Sequence, residues 1–357
     1  MLRAREAVRN LPTYHPPLGG RNGLRLDFNE NTVGCSPRVL ERLRQIDLED
    51  LARYPEREPV ECIIADFLGV ASNEVLLTNG VDEAIHLLCE TYLEPDHEAL
   101  IVVPTFSMYK IYAAATGARV IEIPAGKDFS FPTAEVLRRI TPGTRLIAVA
   151  NPNNPTGTLA PAEDLLQIAR HAPAAALLID EAYAEFCDQT LLTRWRDTAN
   201  LFVARTFSKA YGMAGLRVGV LLGDREQIRS VRLVSSPYNV NGVALACLPD
   251  ALADQAYIQQ YVSEVREGRA RLEDTLRANG IYFWPSHANF VLAKFDSPNF
   301  VQSMRQRGIL VRDRSSDHGC EGCVRITLGP RAHTDRLLAA LQETLQELGL
   351  AQGVVRS

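Results

Sequence analysis

RLIAVANPNNPTGTLAPAEDLLQIARHAPAAALLIDEAYAEF, residues 145–186, reads as an apolar run, a turn, a helix and a second apolar run. RLIAVA and ALLI (from 176) are short and nearly unbroken by polar residues, as strands buried on both faces are. NPNNPTG, between RLIAVA and the helix, is a turn rich in Asn and Pro. PAEDLLQIARHA, from 161, is a helical stretch with Thr158 and Pro161 as its start signals. The same alternation runs from about residue 75 to 223. It adds the strand candidates VLLT at 75, ALIVV at 99, RVIEI at 119, LFVAR at 201 and RVGVLL at 217, and helices such as VDEAIHLLCETYL from 81 and YKIYAAAT from 109. This pattern predicts an α/β fold whose large domain is a mostly parallel seven-stranded sheet covered by helices.

Beyond residue 250 the texture changes. QAYIQQYVSEVREGRARLEDTLRAN, from 255, is a long polar helix, and strand candidates near ANFVLAKF, GILVRD and CVRITLG precede a final helix. The first 45 or so residues, with Pro12, Pro16, Pro17 and several glycines, read as an extended arm that packs on this second unit. The expected division is 1–45 as the N-terminal arm and part of a smaller α+β domain, 46–245 as the large domain and 246–357 as the small C-terminal domain.

With 357 residues, 46% hydrophobic, the chain can bury a sizeable core. A net charge of −5, from 38 Lys and Arg against 43 Asp and Glu, leaves no global source for binding nucleic acid. MLRAREAVRN is charged throughout and lacks the apolar core of a signal peptide, and no run approaches the roughly twenty apolar residues of a membrane span. A cytoplasmic protein without a membrane partner is expected. Seven scattered cysteines predict reduced thiols rather than a disulfide framework. Cys320 and Cys323 form a lone CxxC with no second pair and no HxxxH, so two loop thiols are expected and no metal site.

Four segments carry chemistry. RTFSKAYGMAGLRVG, 205–219, ends a buried strand with Thr206 and Ser208, then Lys209, with Arg217 eight residues on. The two hydroxyls and the arginine can hold a phosphate together. A lysine that must attack an aldehyde has to lose its proton, which nearby cations and partial desolvation promote. Ser-Lys alone also describes an exposed loop lysine. ALLIDEAYAEF, 176–186, delivers Asp180 to the carboxyl end of a strand, where open α/β sheets bind ligands. A carboxylate there can keep the ring nitrogen of a pyridoxal cofactor protonated, or it can simply cap the next helix beside Glu181. In NPNNPTG, an ordinary surface turn on the simpler reading, Asn154 offers a neutral donor to the cofactor's phenolic oxygen. LLTNGVDEAI, 76–85, runs strand, glycine turn, helix, so the free amides around Val81 and Asp82 form an anion site. Neither GxxxxGK[ST] nor GxGxxG is present, so nucleotide readings have no anchor.

Together with FNEN at 28, RYPE at 53, PTFSMY at 104, YNVN at 238, ANFVL at 288, GILVRDRS at 308 and CVRITLG at 323, these segments resemble the aspartate-aminotransferase-like enzymes that use pyridoxal 5'-phosphate, and within them the histidinol-phosphate aminotransferase family. The likeness runs nearly the whole chain. It implies that Lys209 carries the cofactor as a Schiff base and shuttles the proton of the transamination step. It also implies that Asp180 pairs with the ring nitrogen, that Asn154 and Tyr183 contact the phenolic oxygen, and that Tyr109 stacks on the ring. The amides of Val81 and Asp82, with Thr206, Ser208 and Arg217, would hold the phosphate. Tyr54 of the RYP motif would reach the cofactor phosphate of a neighbouring subunit, which implies a homodimer. Arg325, assisted by Arg312 and by Tyr14 of the arm, would hold the substrate phosphate and, in the other half-reaction, the glutamate carboxylate. Arg312 and Arg325 also fit solvated charges on strands or loops.

The implied reaction exchanges an amino group between L-histidinol phosphate and 2-oxoglutarate, in L-histidine biosynthesis. Two departures bear on substrate: NENT stands where many relatives have NENP, and Phe106 stands where a tyrosine is common. Aromatic amino acid aminotransferases and threonine-phosphate decarboxylase-like enzymes of the same fold are the alternatives. A regulatory protein joining this fold to a DNA-binding segment is disfavoured by the lack of a basic element.

Overall fold

The structure, a computed structural model, describes residues 2–13, 20 and 22–350. In chain order the strands are β1 (Leu24–Arg25), β2 (Val75–Thr78), β3 (Glu98–Val103), β4 (Arg119–Pro124), β5 (Thr144–Ala150), β6 (Ala176–Asp180), β7 (Leu201–Thr206), β8 (Gly219–Gly223), β9 (Phe283–Trp284), β10 (Phe290–Lys294), β11 (Ile309–Leu310), β12 (Arg312–Asp313) and β13 (Cys323–Thr327). Seven of them form one sheet in the order β2-β8-β7-β6-β5-β3-β4. All its pairings are parallel except those of β8, which runs antiparallel to both neighbours. The seven strands expected from apolar runs are these seven.

Every residue of β2, β6 and β8 is buried. Successive side chains leave opposite faces of a strand, and along β6 Leu177 and Ile179 join one apolar cluster while Ala176 and Leu178 join another. Two cores, one on each face, explain why these strands read as unbroken apolar runs. The helices Gly80–Tyr92, Met108–Thr116 and Ala162–His171 lie close to their expected spans.

A second sheet, β12-β13-β10-β9, is antiparallel throughout. The helices Gln255–Ala278 and Arg331–Glu347 pack together beside it. They approach closely at Gly268, where a Cβ would meet Thr334 Oγ1. The arm joins this unit through β1, which pairs in parallel with β11. The expected boundary at residues 245/246 falls inside the helix Gly242–Ala253, which packs on the helices Pro37–Arg44 and Glu58–Leu68. Apolar periodicity continues through that helix, and the chain changes layer at Asp254, where the long polar helix begins. Of the two expected loop thiols, Cys320 lies in the turn before β13 and Cys323 opens β13, and both are buried against Trp284 and Leu292. Among the described residues no helix is long and apolar enough to cross a membrane.

Glu181, fully buried after β6, ties the sheet to the segment that follows. It accepts from the Leu191 amide at 2.5 Å, Thr190 Oγ1 at 2.7 Å and Arg205 Nη2 at 2.8 Å. Glu181→Ala removes the leading charge partner of Arg205 in a mostly buried site, leaving only the more distant Glu185, and a loss of about 3–5 kcal/mol of stability is expected. A urea titration checks it; an unchanged midpoint would refute a structural role for the pair.

Candidate active site

The carboxyl ends of β2, β3, β5, β6 and β7 lie along one edge of the large sheet, the position where open α/β sheets bind ligands. A cleft of about 280 Å³ opens there, facing β12 and β13 of the small sheet and residues Asp27–Glu30 of the arm. Of the expected site residues, Val81, Asp82, Tyr109, Asn154, Asp180, Tyr183, Thr206, Ser208, Lys209, Arg217, Arg312 and Arg325 all line it. Tyr54 does not; it is exposed and stacks on Tyr238 with ring centroids 4.3 Å apart. Tyr14 lies outside the described residues.

At one end is a cup for an anion. The helix Gly80–Tyr92 begins at Asn79, and its first amides have no partner within the helix. Thr206 Oγ1 lies 2.9 Å from Ser208 Oγ and accepts from the Ser208 amide at 3.2 Å. Arg217 takes a left-handed backbone (φ 55°) and donates to Asp82 Oδ2 at 2.9 Å. Gly80, at φ 75°, faces the Arg217 guanidinium so closely that a Cβ would run into it. Main-chain amides, two hydroxyls and a guanidinium around a glycine suit a phosphate.

In the middle, Asp180 closes β6. Tyr109 Oη donates to its Oδ2 at 2.5 Å and the Ala182 amide to its Oδ1 at 3.0 Å. Burial pushes its pKa up to about 6 against these two bonds. A carboxylate held this way fits a protonated ring nitrogen, whose charge would offset the burial. Tyr109 is fully buried, and its hydroxyl contact with Asp180 adds to the stacking role expected of it. Phe106 packs edge-on against its ring, centroids 5.7 Å apart.

Lys209 lies on the next strand end, and its Nζ donates to Phe28 O at 3.2 Å. Burial, then the charges of Arg325 and Arg217, lower its pKa to about 8 despite Glu30 and Asp82. Roughly a tenth of such an amine is neutral at pH 7, against about one part in 2,500 for an ordinary lysine. This donor set, an anion cup, a buried carboxylate and a depressed amine, fits pyridoxal 5'-phosphate.

Arg325 joins the two sheets. Its Nη1 donates to Asn154 Oδ1 at 2.5 Å and its Nη2 to Asp27 O at 2.7 Å. Because a guanidinium only donates, this contact assigns the Asn154 oxygen and leaves Nδ2 as the donor that residue can offer the cleft. Arg312 stands directly opposite Arg325 across the β12–β13 ladder, and its guanidinium lies 5.3 Å from the centre of the Phe28 ring.

Beyond the substrate role expected of Tyr14, the arm contributes Asn29, which is not among the expected site residues. Asn29, buried and left-handed (φ 55°), donates from Nδ2 to Tyr183 Oη at 2.9 Å and accepts from Thr327 Oγ1 at 3.0 Å. Within FNEN, an asparagine's tolerance of positive φ is the one sequence signal for this geometry. Thr32, the departure from NENP, contacts His333 Nδ1 at 2.9 Å and does not line the cleft.

The family model of class I and II aminotransferases matches residues 21–341. The histidinol-phosphate aminotransferase of Geobacillus sp. (strain WCH70) is 35% identical, over 95% of this chain and 97% of its own. That of Caldanaerobacter subterraneus subsp. tengcongensis is 36% identical, over 90% and 93%. The crystal structure of histidinol-phosphate aminotransferase from Sinorhizobium meliloti in complex with pyridoxal-5'-phosphate superposes with a TM-score of 0.85 at 26% identity, covering 98% of this chain and 99% of that one.

A depressed lysine pKa is directly measurable. In cofactor-free protein, labelling of Lys209 by a small aldehyde, trapped by reduction and read by mass spectrometry, should rise through a midpoint near pH 8. Arg325→Gln removes the foremost charge that lowers this pKa, so the midpoint should move to higher pH. A wild-type midpoint in the ordinary lysine range would contradict this account.

Proposed function

The chain belongs to the class I and II aminotransferases, and from that premise we propose that it exchanges an amino group between L-histidinol phosphate and 2-oxoglutarate, yielding imidazole acetol phosphate and glutamate, with pyridoxal 5'-phosphate as cofactor. The observation that carries the substrate assignment is the facing pair Arg312 and Arg325 at the far end of the cleft. Like charges directly opposite on a ladder repel, and an anionic ligand between them removes the penalty. A phosphorylated donor brings a charge of about −1.5 to −2, whereas phenylalanine or tyrosine brings one carboxylate. Relatives named histidinol-phosphate aminotransferase, matched over nearly their whole length, support the same reading.

When bound, pyridoxal 5'-phosphate supplies a carbonyl carbon for the amino group and an electron-accepting ring for the charge left at the donor Cα. The amides of Val81 and Asp82, with Thr206, Ser208 and Arg217, hold its phosphate. Asp180 keeps the proton on the ring nitrogen, and Tyr109 keeps Asp180 in place. Asn154, oriented by Arg325, and Tyr183, oriented by Asn29, donate to the phenolic oxygen. Lys209 holds the cofactor through its amine and then moves a proton between the donor Cα and the cofactor C4', a task suited to a group whose pKa is near neutral. Arg325 and Arg312, with Tyr14 of the arm, hold the donor phosphate in one half-reaction and the carboxylate of glutamate in the other.

The working unit in this proposal is a homodimer. Leu48, Leu51, Tyr54, Leu233 and Tyr238 are all more than half exposed, an apolar surface that a second copy would cover. Tyr54, on that surface rather than in its own cleft, is the residue that would reach the partner's cofactor phosphate.

Purified, cofactor-loaded protein should form glutamate fastest with histidinol phosphate and only when 2-oxoglutarate is present. Preference for phenylalanine would move the substrate class, product without 2-oxoglutarate would favour a decarboxylase, and inactivity with all three donors, threonine phosphate included, would defeat the enzyme reading. Gly80→Ala should weaken cofactor binding by at least about tenfold, roughly 1.4 kcal/mol, followed by titrating the cofactor absorbance.

A further inference from the structure

Arg314 lines the cleft, yet neither the cofactor cup nor the arginine pair just described uses it. It follows β12, and its amide donates to Cys323 O at 2.9 Å, extending the β12–β13 ladder by one step. Residues two apart on a strand share a face, so Arg314 stands on the same side as Arg312 and diagonal to Arg325. Three guanidiniums therefore meet at one end of the cleft.

The Arg314 side chain is 16% exposed and is held by an ion pair from its Nη2 to Asp317. The Asp317 amide in turn donates to Arg314 O at 2.9 Å, so a turn fixes the carboxylate that fixes the guanidinium. Two buried N–H groups at this end, Nε of Arg314 and Nη1 of Arg312, have no hydrogen-bond partner among the described residues. A buried donor without an acceptor is costly, the more so on a cation. Two of them, on neighbouring guanidiniums, match an anionic ligand whose oxygens reach both side chains.

The two half-reactions place different anions here. A phosphate monoester carries about −1.5 to −2 charge and three terminal oxygens, whereas a carboxylate carries one charge and two oxygens. Two guanidiniums already satisfy a carboxylate. The third has work only for the phosphate.

We infer that Arg314 is a substrate-binding residue that donates to the phosphate of the amino donor and makes the cleft prefer phosphorylated ligands over carboxylates. The inference rests on the proposed reaction and names the residue that separates its two substrates. Asp317 acts through Arg314 as a positioning residue.

The test uses the holoenzyme and follows each half-reaction separately by the cofactor absorbance, with histidinol phosphate and with glutamate, for the wild type, Arg314→Gln, Arg314→Lys and Asp317→Asn. Arg314→Gln should lower kcat/KM for histidinol phosphate about tenfold to a hundredfold, the range of one charge-assisted hydrogen bond, and mainly through KM. The glutamate half-reaction should change by less than about threefold on the same scale. Arg314→Lys, which keeps the charge, should recover part of the loss. Inorganic phosphate should inhibit the wild-type glutamate half-reaction competitively and Arg314→Gln about tenfold or more less strongly. Equal losses in both half-reactions, reproduced by Asp317→Asn, would show a structural role and overturn the inference, and so would no change in either. If the wild type accepts glutamate but ignores histidinol phosphate, the proposed reaction fails instead; phosphate inhibition then decides Arg314, with equal inhibition of wild type and Arg314→Gln overturning it.

Discussion

A carboxylate at the end of a strand buried on all sides opposes its own charge, and the cleft is arranged around holding Asp180 in that position. Burial raises its pKa to about 6, and Tyr109 and the Ala182 amide each secure one oxygen. β6 lies between β5 and β7, with Asp180 in register with Ala150 on one side and Ala204 on the other. Neighbouring strands stand about 4.8 Å apart, so the segments that continue β5 and β7 must pass on either side of the carboxylate. One brings Asn154 and the other brings Thr206, Ser208 and Lys209. The order of the strands, more than any single contact, sets the spacing of the reactive groups.

The other half of the cleft comes from elements far away in the chain, and the arm joins the two halves. Phe28 O accepts from Lys209, Asp27 O accepts from Arg325, and Asn29 reaches both Tyr183 and Thr327. Arg325 has three effects from one position. It orients the Asn154 amide, it is the leading charge lowering the Lys209 pKa, and it presents a guanidinium to the anion end of the cleft. In the proposed reaction, a substrate anion held by Arg325 would thereby be coupled to the protonation of Lys209. An anion beside the guanidinium would offset its lowering of the lysine pKa and so favour the protonated amine.

Legibility followed local physics. The large sheet was readable because each strand is packed on both faces and so appears as an uninterrupted apolar run, as in VLLT and ALLI. Helix ends were readable from periodicity and turn residues. The division at 245/246 was less so, because the helix Gly242–Ala253 is apolar on several sides and nothing in its pattern marks which layer it belongs to. The burial of Cys320 and Cys323 was hidden too: a segment rich in Gly and charge carries no sign of the packing that Trp284 and Leu292 provide. The hydroxyl bond of Tyr109 to Asp180 joins residues 71 apart in the chain, and no local signal reports such a meeting.

The sequence by itself determined the strand and helix order, the residue types at the strand ends, and a resemblance that runs nearly the whole chain and carries the cofactor with it. These are properties of consecutive residues, fixed by backbone periodicity and by which side chains can supply a given chemistry. Only the tertiary structure decided that Arg312, Arg314 and Arg325 converge, that Asn29 rather than a catalytic residue orients Tyr183, and that Tyr54 lies on an exposed apolar face away from its own cleft. Those depend on which strands pair, in what register, and on where the arm crosses between the sheets. The free energies that select them belong to contacts between segments up to about 300 residues apart, and such contacts leave no periodic trace in the chain.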